Sequence, residues 1–364
     1  MTAVPFAIVG GGFRTGYFLR VARALPNLFQ AVGMVVRNAE AGRAIEREWG
    51  IATYREIDHL LCAQRPEFIV VAVRADDSAS VLAGLAKRGV PVLAETPPAA
   101  DLNGLVKLDE LTRGGAKIQV AEQYYLRPMH AARLSIVESG DLGQVTQANV
   151  SVSHGYHGVS LLRKLLGVHF EQATIRAMRF VSPMVAGPSR SGPPAEETIV
   201  TSPRDIAWIR FGDKLGVYDF TKDQHRSWIR STHLSVRGSR GEIFDHRVNF
   251  LAGHRTPLHL ELRRVNRGEE ENVEGYFLQG IMLGHRWVYA NPYAGARLYD
   301  DEIAVATCME NMVRYIRGGP SFYDLRQASQ DHYLAMLIEE AIQTGKEVTS
   351  GPQPWMQTAP SVEG

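Results

Sequence analysis

Short apolar runs alternate with amphipathic segments through the first third of the chain. The runs are Phe6-Ala7-Ile8-Val9, residues 30–36, residues 67–73, residues 91–94 and residues 117–121. Each predicts a strand, and the unbroken apolar character of the run ending at Val73 suits a strand buried on both faces. Between them, residues 17–25, 39–49, 57–62, 78–88 and 100–112 carry helical spacing, and Pro26 stops the first of these. Strand and helix in alternation predict a doubly wound parallel sheet over residues 1–122.

From about Gly143 the pattern changes. A helix is expected over 158–166, followed by strands at 173–181, 198–200, 206–211, 215–220, 232–237, 242–244 and 258–263. Residues 182–194, rich in proline and glycine, read as an irregular connection. Helices over 301–316 and 325–342 close the chain. The second domain, residues 123–364, is therefore expected to rest on an open sheet, with its last helices packing back on the first domain.

Composition narrows the function classes. Lys+Arg 40 against Asp+Glu 39 leaves a net charge of +1, with no dense basic block of the kind that tracks a phosphate backbone, so nucleic acid is not an expected partner. The two cysteines, Cys62 and Cys308, make neither a disulfide framework nor a zinc site. No run approaches the length of a membrane span and the first residues do not read as a signal peptide. A cytoplasmic location, no membrane and no metal are the expectations.

The candidate chemistry starts at Gly10-Gly11-Gly12-Phe13-Arg14-Thr15-Gly16, where the first strand breaks into a turn before a helix. Such a turn brings backbone N–H groups against a pyrophosphate at the positive end of the helix. The spacing departs from GxGxxG, whose third glycine would stand at Thr15 instead of Gly16. At the end of the second strand stands Arg37, with no acid before Glu40. An arginine there accommodates a 2′-phosphate, whereas a carboxylate binds the 2′-OH, so NADP(H) is favoured and NAD(H) is the second choice.

Six segments in order resemble the Gfo/Idh/MocA family, named for glucose-fructose oxidoreductase and inositol dehydrogenase. Besides the glycine turn, Val92-Leu93-Ala94-Glu95-Thr96-Pro97 is similar to the family's Glu-Lys-Pro motif, and Tyr124-Tyr125-Leu126-Arg127-Pro128 to its entry into the bridging helix. Gly140-Asp141-Leu142-Gly143-Gln144-Val145 resembles the turn opening the second domain. Ser153-His154-Gly155-Tyr156-His157 falls on its Asp-x-Gly-x-His, and residues 236–243 on a sheet-domain hairpin. The resemblance implies an α/β protein: an N-terminal Rossmann sheet, doubly wound and parallel, plus a C-terminal α+β domain with a large, open, mostly antiparallel sheet. It further implies hydride transfer between a nicotinamide and a sugar, cyclitol or related small molecule, and a homodimer or homotetramer formed through that sheet.

The chain departs from the family where the chemistry is done. The motif lysine is replaced by Thr96 and the aspartate by Ser153, while Ser160 stands where a further aspartate is expected. Val73-Arg74-Ala75-Asp76 lacks the usual proline, asparagine and histidine. His157 is left as the main acid/base group, with Tyr124 and Thr96 as helpers. Gly10, Gly12, Phe13, Arg14, Arg37, Val73, Glu95 and Thr96 are the cofactor candidates, and His154, Glu122 and Arg127 the substrate candidates, although an interdomain salt bridge accounts for Glu122 and Arg127 equally well. Lys164 shares the helical face of His157 and Ser160, or else lies solvated at its edge. With the usual base gone, reduction is easier to support than oxidation. The alternatives are a nucleotide-binding sensor or partner subunit without turnover, and a lyase or isomerase using the cofactor transiently.

Overall fold

The computed structural model describes residues 2–268 and 277–357. In its first part, strands β1 (Val4–Val9), β2 (Phe29–Val35), β3 (Thr53–Tyr54), β4 (Phe68–Val71), β5 (Val92–Ala94) and β6 (Ile118–Val120) form one sheet in the order β3-β2-β1-β4-β5-β6. Every pairing is parallel. The crossovers are α1 (Thr15–Ala24), α2 (Ala39–Trp49), α3 (Ile57–Ala63), α4 (Ala75–Lys87) and α5 (Leu102–Arg113). All four residues of β4 are buried, as an apolar run covered on both faces requires. Strand order reverses at the β1/β4 boundary, which leaves a crevice beyond the carboxyl ends of those strands.

One boundary in this domain differs from expectation. The pattern predicts a helix from residue 78, but α4 starts at Ala75 and takes Asp76 and Asp77 into its first turn. Aspartate is a poor helix former by propensity, yet at a helix N-terminus its charge offsets the dipole.

After a short 3₁₀ turn, Tyr124–Leu126, come α6 (Pro128–Glu138), β7 (Val145–Ser151) and α7 (Gly155–Leu166). Pro128 opens α6 at a position where its missing N–H costs nothing. α7 begins at Gly155, ahead of the expected residue 158, so His157 lies inside its first turn. The sheet continues through β8 (Thr174–Val185), β9 (Ile199–Phe211), β10 (Lys214–Thr221), β11 (His233–Gly238), β12 (Gly241–Phe244) and β13 (Arg247–Gly253). It is completed by β14 (Thr256–Arg267), β15 (Phe277–Leu283), β16 (Arg286–Ala290) and the terminal β17 (Val348–Thr349). Eleven strands run in the order β16-β15-β14-β13-β12-β11-β7-β10-β9-β8-β17. β7 and β10 are parallel, and the remaining pairs are antiparallel.

The expected strands at 198–200 and 206–211 are one strand, β9, paired with β8 from Ile199 to Arg210. Ser202-Pro203-Arg204-Asp205 interrupts its apolar pattern without interrupting its register. α7 buries Leu161, Leu162, Leu165 and Leu166. α8 (Asp300–Ile316) and α9 (Leu325–Thr344) then return to the first domain. Arg20 of α1 donates to Glu302 at 2.5 Å, the Val120 N–H donates to the Tyr323 carbonyl at 2.8 Å, and Gln119 accepts from the amides of Phe322 and Tyr323 at 3.0 Å. Among the described residues, no helix is long and apolar enough to cross a membrane.

Candidate active site

The turn between β1 and α1 is shaped by its glycines. Gly10 has φ of +130°, and a Cβ there would lie 2.2 Å from the Ala72 carbonyl oxygen. A Cβ on Gly12 would meet nothing within 4 Å, because it would project into the open cleft. Among the described residues, the amides of Gly11, Gly12, Phe13 and Arg14 have no hydrogen-bond acceptor, and α1 has neither a side-chain cap nor an acidic residue in its first turn. Free N–H groups at an uncapped helix N-terminus suit an anion. The cleft they face has a volume of about 560 Å³ and runs from Val36, Arg37 and Arg55 past the turn to Glu95 and Thr96. Its shape and donors fit the pyrophosphate of a dinucleotide.

At the β2 end of the cleft, the exposed Arg37 donates to Asp77 at 2.6 Å. A 2′-phosphate would therefore have to displace a carboxylate that the sequence pattern does not show. Arg55, which sequence reasoning missed, lines the same end and donates to the Val36 carbonyl at 2.5 Å. At the opposite end, Arg14 grips Glu95 through Nε at 3.1 Å and Nη2 at 2.8 Å. Val73 and Thr96 complete that wall. Thr96 also lines a small internal cavity with Glu122, Tyr156, Asp331 and His332.

His157 is buried, and its Nδ1 is 2.6 Å from Glu122 Oε2. Glu122, expected at the substrate, is instead 2% exposed and stands behind the imidazole. Its other oxygen accepts from the Tyr124 amide at 3.0 Å. Burial pushes the Glu122 carboxyl up to about 8, against the amide of Tyr124 and the charge of Arg14. Burial likewise pushes the His157 imidazole down to about 3. Both shifts disfavour charge, so the neutral carboxyl and the neutral imidazole are the favoured forms. Among the described residues nothing bonds to His157 Nε2, which leaves that nitrogen for a substrate.

Aromatic rings frame this pair. Tyr124 and Tyr156 each lie 4.4 Å from the His157 ring, centroid to centroid. Burial raises the pKa of both phenols and keeps them protonated. His154 is exposed at the N-terminus of α7, 5.1 Å from His157 and 5.7 Å from His225. Partial burial, His157, His225 and Lys222 all lower its pKa. Arg127, the other substrate candidate, is held by Asp301 of α8 at 3.1 Å and lies over Tyr124, so its guanidinium ties the entry to α6 to α8. Lys164 is half-buried and sits over Tyr125 and Tyr323 at 4.8 and 5.3 Å. It borders a separate cavity with Ser160 and Arg163. No trio of His, Cys, Asp or Glu is placed to hold a metal among the described residues.

Comparison with known proteins follows the same lines. Residues 4–122 match the Gfo/Idh/MocA profile, described as an oxidoreductase family with an NAD-binding Rossmann fold. No curated protein matches the chain by sequence. Among solved structures, an NAD-binding oxidoreductase from Klebsiella pneumoniae is similar with TM-score 0.69 and 13% identity, over 97% of this chain and 100% of that one. Levoglucosan dehydrogenase in complex with NADH gives TM-score 0.68 and 15% identity, over 97% and 100% of the two chains. The WlbA dehydrogenase from Bordetella pertussis, in complex with NADH and UDP-GlcNAcA, gives TM-score 0.65 and 16% identity, over 96% and 100%. Identities this low establish the shared fold alone. The family match over residues 4–122 identifies the first domain as a Gfo/Idh/MocA-type, NAD-binding Rossmann domain, and the two-sheet architecture of the whole chain is shared with the solved structures.

Proposed function

We propose that this protein reduces a carbonyl-bearing small molecule, such as a sugar derivative or a related compound, with a nicotinamide dinucleotide held along the glycine turn. The observation that carries the reading is the buried His157–Glu122 contact of 2.6 Å, with Glu122 pushed up to about 8. At neutral pH the pair then retains a proton and presents His157 Nε2–H to the substrate. The bound nicotinamide supplies the hydride. As the substrate carbon receives it, the substrate oxygen takes the Nε2 proton and the Glu122 proton passes to Nδ1. Carboxylate and neutral imidazole remain, and one solvent proton reloads them. Tyr124 and Thr96 serve as hydrogen-bond donors beside this transfer, a role that does not need the family's lysine.

Arg37 supports use of NADP(H), and its bond to Asp77 sets the expectation that the preference over NAD(H) is below about tenfold, or 1.4 kcal/mol. The exposed apolar side chains of Met178, Phe180 and Trp208 on the uncovered face of the second sheet support pairing with another copy of the chain. The functional test is NADPH consumption at 340 nm across a panel of ketoses, keto-sugars and keto acids. Turnover that His157→Ala lowers by about 10² or more supports the reading. Tight nucleotide binding without turnover of any compound favours a sensor, and product without net NADPH change favours a transient redox step.

A further inference from the structure

The connection between β8 and β9, residues 186–198, leaves the second domain and reaches the dinucleotide cleft. It is an ordered turn. The amides and carbonyls of Ser189 and Gly192 exchange bonds of 2.8 and 3.3 Å, Ser189 Oγ accepts from the Ser191 amide at 3.1 Å, and Gly192 has φ of +111°. Arg190 is thus presented at the tip. Its guanidinium lies 4.3 Å from the centroid of Phe13, and its side chain lines the same cleft as Gly10, Gly12 and Arg14. Phe13 itself is 54% exposed, which leaves a bare aromatic face at the centre of the turn.

The other arginines around this cleft are already committed. Arg14 holds Glu95, Arg37 holds Asp77, Arg74 reaches Asp76 at 3.5 Å, and Arg55 donates to the Val36 carbonyl. Arg190 alone among them has no acceptor in the described residues, although a guanidinium carries five donors. In the same cleft, four backbone amides of the turn also lack acceptors among the described residues. Two sets of unsatisfied donors, one from each domain, face a single space.

We propose that Arg190 is a dinucleotide-binding residue supplied by the second domain. Its guanidinium closes over the pyrophosphate opposite the glycine amides, with Phe13 as the plane that orients it. The proposal rests on the cleft being a nicotinamide dinucleotide site, and it adds that the site is completed only by the second domain. Release of the dinucleotide then requires residues 186–198 to lift.

The test is a titration of the full chain with NADH and NADPH, followed by nicotinamide fluorescence, for wild type, Arg190→Ala and Arg190→Lys. Arg190→Ala is expected to weaken binding about tenfold or more, the scale of one charge-assisted contact, with its melting temperature unchanged because the side chain is exposed. Arg190→Lys is expected to recover part of the loss, since a lysine keeps the charge but not the fork. In the wild type, NADH is expected to slow trypsin cleavage after Arg190. An Arg190→Ala protein that binds within twofold of wild type overturns the proposal and leaves the dinucleotide site standing. A wild type that binds neither nucleotide overturns both.

Discussion

Glu122 is separated from His157 by 35 residues, and no pattern in either segment joins them. His157 is legible in the sequence because it falls in a recognisable motif; its carboxylate partner is not, because their contact exists only once the segment after β6 and α7 are packed. The pair makes a definite prediction about pH. Its acid form is present below the raised value of about 8 and is lost above it. The rate of reduction should therefore be level below pH 8 and fall about tenfold per pH unit beyond it. Glu122→Gln should remove that break and lower turnover by about 10². A profile in Glu122→Gln that still breaks near 8 assigns the titration to another group. At the adenosine end, Asp77→Asn frees Arg37 and should shift preference toward NADPH by about three- to tenfold, whereas Arg37→Ala should erase it. Equal affinities for the two nucleotides in wild type, Asp77→Asn and Arg37→Ala would remove Arg37 from the account.

At the scale of elements, β1, β4 and the turn after β1 were the most legible, because a strand buried on both faces leaves an uninterrupted apolar run. β13, β15 and β16 escaped detection. β13 reads Arg247-Val248-Asn249-Phe250-Leu251-Ala252-Gly253, where three consecutive apolar residues break the alternation that a sheet with one uncovered face would otherwise show. β9 was split for a related reason, since a proline and two charged residues sit in a strand that pairs throughout. The two glycines of the turn should behave differently. Gly10→Ala forces a Cβ against the Ala72 carbonyl at a positive φ, so it should destabilise the fold by about 1–3 kcal/mol. Gly12→Glu projects into open space and should leave the melting temperature near that of wild type. Thermal unfolding of the two variants checks this contrast, and equal melting temperatures would contradict it.

For the whole molecule, the sequence conveyed two unlike domains in order, because the change from buried parallel strands to one-sided antiparallel ones changes the hydrophobic period itself. What it did not convey is how far the domains share one site. Arg20–Glu302 ties α8 to the first domain, and Arg190 brings the second domain to Phe13. Arg190 lies in a connection with neither helical nor strand period, so no pattern could single it out. The uncovered sheet face carries a prediction of its own. Trp208, 47% exposed, should be covered by a second copy, and Trp208→Glu should halve the mass measured by light scattering without unfolding the chain. A wild type that is already monomeric would contradict that arrangement.

The central claim is that a nicotinamide dinucleotide lies along the β1–α1 turn, and equilibrium titration of the wild type and Gly12→Glu with NADPH and NADH tests it most directly. The account predicts saturable enhancement of nicotinamide fluorescence in the wild type, a modestly tighter Kd for NADPH, and no binding to a folded Gly12→Glu protein. Absence of binding to the wild type, or binding that Gly12→Glu leaves intact, would contradict it.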